Sequence, residues 1–178
     1  MYRPLSPGVG VVLVAAVLIA GMALTSQRSL ATSVVHFSDA ELVRHSSSIV
    51  EGRVTGVRSE WNTSRTQIHT IVTLRVTASL KGSAAAGEQV VLRLLGGRVG
   101  DTVAELVDGP KFAVDEDVIV FLDSGAVELM PITGLFQGKF TVATDPASGT
   151  RTVSGRPTTR DAFVGDIARI VASQEGGR

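Results

Sequence analysis

The chain is 178 residues long, with 17 basic and 17 acidic residues and no cysteine. The missing cysteine excludes disulfides, thiolate zinc sites, iron–sulfur clusters and cysteine nucleophiles. The even charge argues against nucleic acid, whose binders concentrate lysine and arginine. Stability has to come from packing, and a domain near this size does this by burying about 68–70% of its unfolded surface.

Arg3 precedes an apolar run from Val9 to Leu24 that carries no charge, and Ser29-Leu30-Ala31 follows with small residues at the two positions a signal peptidase reads. This pattern predicts a signal peptide over residues 1–31 with cleavage after Ala31, hence an exported protein, periplasmic or extracellular. The run is close to the lower limit of about 17 residues for a membrane span. Membrane contact is therefore expected only through the leader during export, and a retained leader would anchor the chain. Removing Arg3 and Arg28 from the 17 basic residues leaves 15 against 17 acidic, a net of −2. No internal repeat or long linker divides residues 32–178, which read as one domain.

Ser38-Asp39-Ala40-Glu41 fits a capping box, with Phe37 placed to staple onto the first turn. The helix should stop near His45, before the competing hydroxyls of Ser46, Ser47 and Ser48. From Ile49 the period becomes two, with Val50, Gly52 and Val54 alternating with Glu51, Arg53 and Thr55. A loop carrying Trp61, Asn62 and Ser64 follows; Asn62-Thr63-Ser64 matches a glycosylation sequon, to which no role is assigned. The clearest signal is the alternation from Ile68 to Leu80, a strand long enough to bend around a barrel.

Lys81-Gly82-Ser83 starts a turn reaching Gly87, and Gln89 to Leu95 reads as a third strand. Gly96 to Asp101 reads as a flexible connection, Val103 to Val107 as a short strand and Gly109-Pro110 as a turn. Asp115-Glu116-Asp117 is expected to be a solvated acidic corner. The continuous apolar run Val118 to Leu122 after it should be a strand covered on both faces, at the centre of the core. Ala126 to Met130 reads as its hairpin partner and Phe136 to Val142 as another strand. Asp145 to Gly149 then turns the chain toward Arg151 to Ser154. A last helix is capped by Thr159 and carries the stripe Phe163, Ile167, Ile170 and Val171.

Many short strands between glycine and proline turns, with a helix at each end, imply a mostly β fold. Residues 46–83 resemble the opening of the netrin-like and metalloproteinase-inhibitor domains. The shared order is a short helix, Ile49-Val50-Glu51-Gly52-Arg53-Val54, a variable loop, the long strand from Thr70 to Leu80, and Lys81-Gly82. The chain also resembles a group of uncharacterised bacterial exported proteins that end with a glycine-rich strand like Gly134 to Phe140. The resemblance implies an OB-like antiparallel barrel with a short N-terminal helix and a C-terminal capping helix. The inhibitor family grips catalytic zinc through an amino-terminal cysteine, which is missing here, so that mechanism does not carry over.

His36, His45 and His69 lack the spacing of metal ligands, so no metal is expected. Gly96 to Gly100 is followed by strand residues and not by a helix, which removes a phosphate cradle. No Gly-x-Ser-x-Gly elbow is present. No catalytic residue and no cofactor are therefore assigned. The reading that follows is a non-enzymatic binding module whose loops 57–67 and 95–101 present Trp61, Asn62, Arg65, Gly96, Gly97 and Arg98 to an exported protein such as a protease. Alternatives are an exported hydrolase using surface carboxylates such as Glu51 or Glu105, or a glycan binder that stacks a sugar on Trp61.

Overall fold

The computed structural model describes residues 36–106, 108–123, 125 and 129–176. The expected leader falls outside them. The described chain is mostly β: α1 (Asp39–His45), β1 (Ser48–Trp61), β2 (Ile68–Lys81), β3 (Gln89–Leu95), β4 (Gly97–Val99), β5 (Thr102–Ala104), β6 (Asp117–Leu122), β7 (Lys139–Thr144), β8 (Arg151–Val153) and α2 (Arg160–Glu175). Six strands form one antiparallel sheet in the order β3-β2-β1-β6-β7-β8, and β4 and β5 form a separate hairpin. The edges β3 and β8 are not paired with each other, so the sheet is open.

Local chemistry sets both helices. Ser38 and Glu41 exchange the two capping-box hydrogen bonds, and Phe37 packs on the cluster that holds Leu42. Lys81 Nζ donates to the Val43 carbonyl at 2.7 Å in the last turn of α1. Thr159 Oγ1 accepts the Ala162 amide at 3.3 Å, and α2 lays Phe163 and Ile167 onto the sheet.

The sheet is covered on both faces. Beneath the helices, Ile49, Ile119, Phe121, Phe140 and Phe163 share a core with Leu42 and Ile167. On the other side Val50, Val54, Leu74, Leu92, Val118 and Val120 pack around Ile132. Strand β6 divides its four fully buried residues between the two cores by its period of two, as the unbroken apolar run requires.

Three register shifts interrupt the β1–β2 ladder, which strengthens the local twist. One of them leaves Thr55 as an extra residue in β1, and the other two leave Leu80 and Thr77 as extra residues in β2. Leu80 packs with the helix-side core although Val76 belongs to the other one. Uninterrupted alternation would have kept the two together.

Several elements differ from the sequence reading. β1 extends through Trp61, so only 62–67 remains as a turn. The connection after Gly96 is the β4–β5 hairpin, with β5 ending at Ala104. β7 starts at Lys139; Gly134 to Gly138 forms turns closed by hydrogen bonds such as Gly138 to the Thr133 carbonyl at 3.0 Å. The expected partner strand at 126–130 falls largely outside the described residues. No helix among the described residues is long and apolar enough to cross a membrane.

Candidate functional site

The β1–β2 turn and the β4–β5 hairpin lie at one end of the sheet. Asn62 builds the turn: its Oδ1 accepts the Thr66 and Gln67 amides at 2.8 and 3.2 Å, and its Nδ2 donates to Thr66 Oγ1 at 3.0 Å. Arg65 is exposed within that turn at φ +54°. Arg98 is exposed on β4 opposite Val103.

Gly96 and Gly97 join β3 to the hairpin with φ of +94° and +137°. A Cβ on Gly97 would stand 2.4 Å from the hydroxyls of Ser59 and Thr70, and one on Gly96 would stand 2.6 Å from the Ala104 carbonyl oxygen. Only glycine lets the hairpin approach this closely. The hydroxyls are ordered as well: Thr70 Oγ1 donates to the Gly96 carbonyl at 2.7 Å and lies 3.1 Å from Ser59 Oγ.

The close approach leaves two adjoining hollows. One, of about 320 Å³, is walled by Val57, Leu94, Phe112, Met130, Ile132 and Leu135 among others. The second, of about 300 Å³, is walled by Trp61, Gln67, Ile68 and Thr102. Leu95, Gly96, Ala104, Glu105 and Leu106 line both. The linings are mainly apolar with a few polar groups, the usual make-up of a binding cleft. Trp61, Leu106 and Leu135 are 37%, 37% and 42% exposed at the rims. Leu135 also has φ +64°, a conformation that costs a branched residue energy and holds this side chain at the opening.

Of the six residues singled out from sequence, Trp61, Gly96 and Gly97 line the hollows; Asn62, Arg65 and Arg98 do not. Leu106, Phe112, Met130 and Leu135 were missed. The signals near them, Gly109-Pro110 and the Gly134 turn, read only as punctuation.

Glu51 is not a surface carboxylate. It is 2% exposed, because the polar face of β1 at this point lies beneath α2. Arg151 Nη2 donates to Glu51 Oε1 at 2.9 Å; Arg160 Nε lies 3.2 and 3.1 Å from Oε1 and Oε2, and its Nη2 also bonds Oε2. The hydrogen bond to Glu51 leads the causes that raise the Arg160 guanidinium pKa above its ordinary value. Such a group is a structural anion with its hydrogen-bonding capacity occupied. Glu105 is exposed at the hollows, and Glu51 lines neither of them.

The acidic corner differs from its sequence reading in the same way. Lys139 pairs with Glu116, and Arg53 Nε meets Asp117 Oδ1 at 2.8 Å, so two of the three acids are half-buried and ion-paired. Burial pushes the Glu116 carboxyl up, but hydrogen bonds from Lys139, Thr141 and the Ala113 amide outweigh it and hold the pKa below the usual carboxylate value. Among the described residues, no three histidine, aspartate or glutamate side chains come together as a metal site.

Comparison with protein-family models, curated proteins and solved structures finds no match for the chain.

Proposed function

We propose that the chain is an exported, non-enzymatic binding module on an OB-like scaffold, which takes an apolar side chain of a protein partner into the paired hollows beside the β4–β5 hairpin. The observation that carries this reading is the wall of Leu95, Gly96, Ala104, Glu105 and Leu106 shared by two mainly apolar hollows, with Trp61, Leu106 and Leu135 exposed around it. Aromatic and aliphatic anchors at a pocket are where protein interfaces concentrate their energy. The OB-like reading is supported by the long, bulged pair β1–β2 and the open sheet, since OB-type barrels are partly open. Export rests on the leader pattern of residues 1–31.

A photo-crosslinking residue at Trp61 should give a discrete protein adduct in the producing cell's envelope, and the same probe at Arg169, exposed on α2, should give none. Equal labelling at both positions would remove the reading. Inhibition of an exported protease is its sharpest form; unchanged secreted proteolysis in the presence of the purified protein would discard that form. Sugar binding has one observation in its favour, Trp61 on the wall of a hollow. Tryptophan fluorescence that stays flat across a glycan titration would dismiss it.

A further inference from the structure

Strand β3 is an edge of the sheet. The Leu95 amide points away from β2, donating to the Leu129 carbonyl at 3.1 Å, whereas the Gly96 amide turns inward to the Ile68 carbonyl at 2.8 Å. Backbone direction alternates along an antiparallel strand. Val91 and Arg93 therefore share the outward direction of Leu95, and neither has a backbone partner on that side among the described residues. Each offers one donor and one acceptor to an added strand.

The face bordering this edge is basic. Arg75 stands opposite Arg53 on one side and Gln89 on the other; Ile71 stands between Arg58 and Arg93. Positions 53 and 58 would lie on opposite faces of a regular strand. The extra residue Thr55 rephases β1, so that all four arginines share one face. Asp117 and Glu60 neighbour Arg53 and Arg58 at 2.8 and 3.4 Å. Arg75 and Arg93 have no carboxylate partner among the described residues, and both are exposed. Val91 between their rows is 59% exposed. An even overall charge thus conceals a local excess of positive charge, made by strand register.

We propose that the edge of β3 at Val91 and Arg93, without a backbone partner among the described residues, accepts an extended acidic peptide, held by main-chain hydrogen bonds to Val91 and Arg93 and by carboxylate contacts to Arg93 and Arg75. The proposal takes from the reading above only that the partner is a polypeptide. A residue of the added strand opposite Arg93 shares its face, and one opposite Gln89 lies about 10 Å from Arg75 across the sheet, within reach of two long side chains. Arginine matches carboxylates bidentately, and edge addition takes its affinity from the main chain and its specificity from side chains. Single-stranded nucleic acid calls for a stacking aromatic. The one tryptophan, Trp61, lies on the other face of β1 from Arg58.

The test uses the full chain and a short fluorescein-labelled peptide that alternates glutamate with valine. Anisotropy should report saturable binding below about 1 mM. Arg93→Glu should weaken it about tenfold or more through loss and reversal of the charge contact. Val91→Pro removes an outward amide that the sheet does not use, a change edge strands tolerate, and should weaken binding with no change in the circular dichroism spectrum. Arg169→Glu on α2 should leave it unchanged. No saturable binding, or binding indifferent to both Arg93→Glu and Val91→Pro, would overturn the proposal. So would dextran sulfate binding more tightly than the peptide with the same arginine dependence, which would make the face a polysaccharide site. Crosslinking at Trp61 reports on the hollows alone, so either proposal can fail without the other.

Discussion

The helix-covered face of the sheet and its β4–β5 end solve opposite problems. Beneath α1 and α2 every large group has a partner: Phe140 lies 5.6 Å from Phe121 and 5.0 Å from Phe163, ring centre to ring centre, and Glu51 is gripped by two guanidiniums. At the β4–β5 end, glycines bring the backbone close, and apolar side chains are left facing two hollows. The first arrangement holds the fold. The second leaves Trp61, Leu106 and Leu135 exposed, where water gains nothing from them. A large effect on stability should therefore map to the helix side, and a large effect on binding to the hairpin side.

Phe163→Ala should cost the most, about 4 kcal/mol, because it opens a cavity between α2 and the sheet and removes the ring packed on Phe140. A thermal melt measures it, and a loss below about 1 kcal/mol would show that α2 is not a structural cap. Arg160→Ala should cost about 3 kcal/mol, since it leaves Glu51 buried with one guanidinium in place of two. Pairing it with Glu51→Gln should recover part of the loss, which a double-mutant cycle would quantify. Both changes should leave crosslinking at Trp61 intact in the molecules that fold.

Gly97→Ala sharpens the comparison from the other side. The added methyl meets two hydroxyls at 2.4 Å, so the hairpin must shift, at a cost of about 2 kcal/mol and with the hollows reshaped. Reduced crosslinking at Trp61 together with a lowered melting temperature is the expected pair of results. Smaller still is the pH effect of Glu116. Its folded pKa lies below its ordinary value of 4.5. The stability it contributes is thus complete above that value and is lost as pH falls through the folded pKa. Glu116→Gln should flatten the acid limb of a stability–pH profile below about pH 4.5, and an identical acid limb in the variant would refute the pairing with Lys139. Leu106→Glu, on an exposed rim, should change stability by less than about 0.5 kcal/mol while abolishing the adduct at Trp61.

Local chemistry makes much of the scaffold legible in the order of the residues. The capping boundaries of α1 and α2 hold, because a cap is decided within four residues. The alternation around Leu74 and the unbroken run of β6 mark strands whose apolar residues are buried, because a period of two leaves a strand no other way to hide them. The site is legible only in part. Trp61 and the glycine pair stand out by residue type, whereas Leu106 and Leu135 are ordinary leucines until the turns at 109 and 134 bring them to the same opening.

By itself, then, the sequence of this protein determined where helices begin, that the runs around Val50, Leu74, Leu92 and Val120 are strands, that β6 is covered twice and that no cysteine chemistry operates. Tertiary structure alone decided that Glu51 lies inside, that the connection after Gly96 is a hairpin against β1 and β2, and that Arg53, Arg58, Arg75 and Arg93 share a face. The reason is range. Caps and periodicity act over a few bonds, whereas burial of a charge and the phase of a face depend on which distant strand arrives alongside and on where a single bulged residue resets the count.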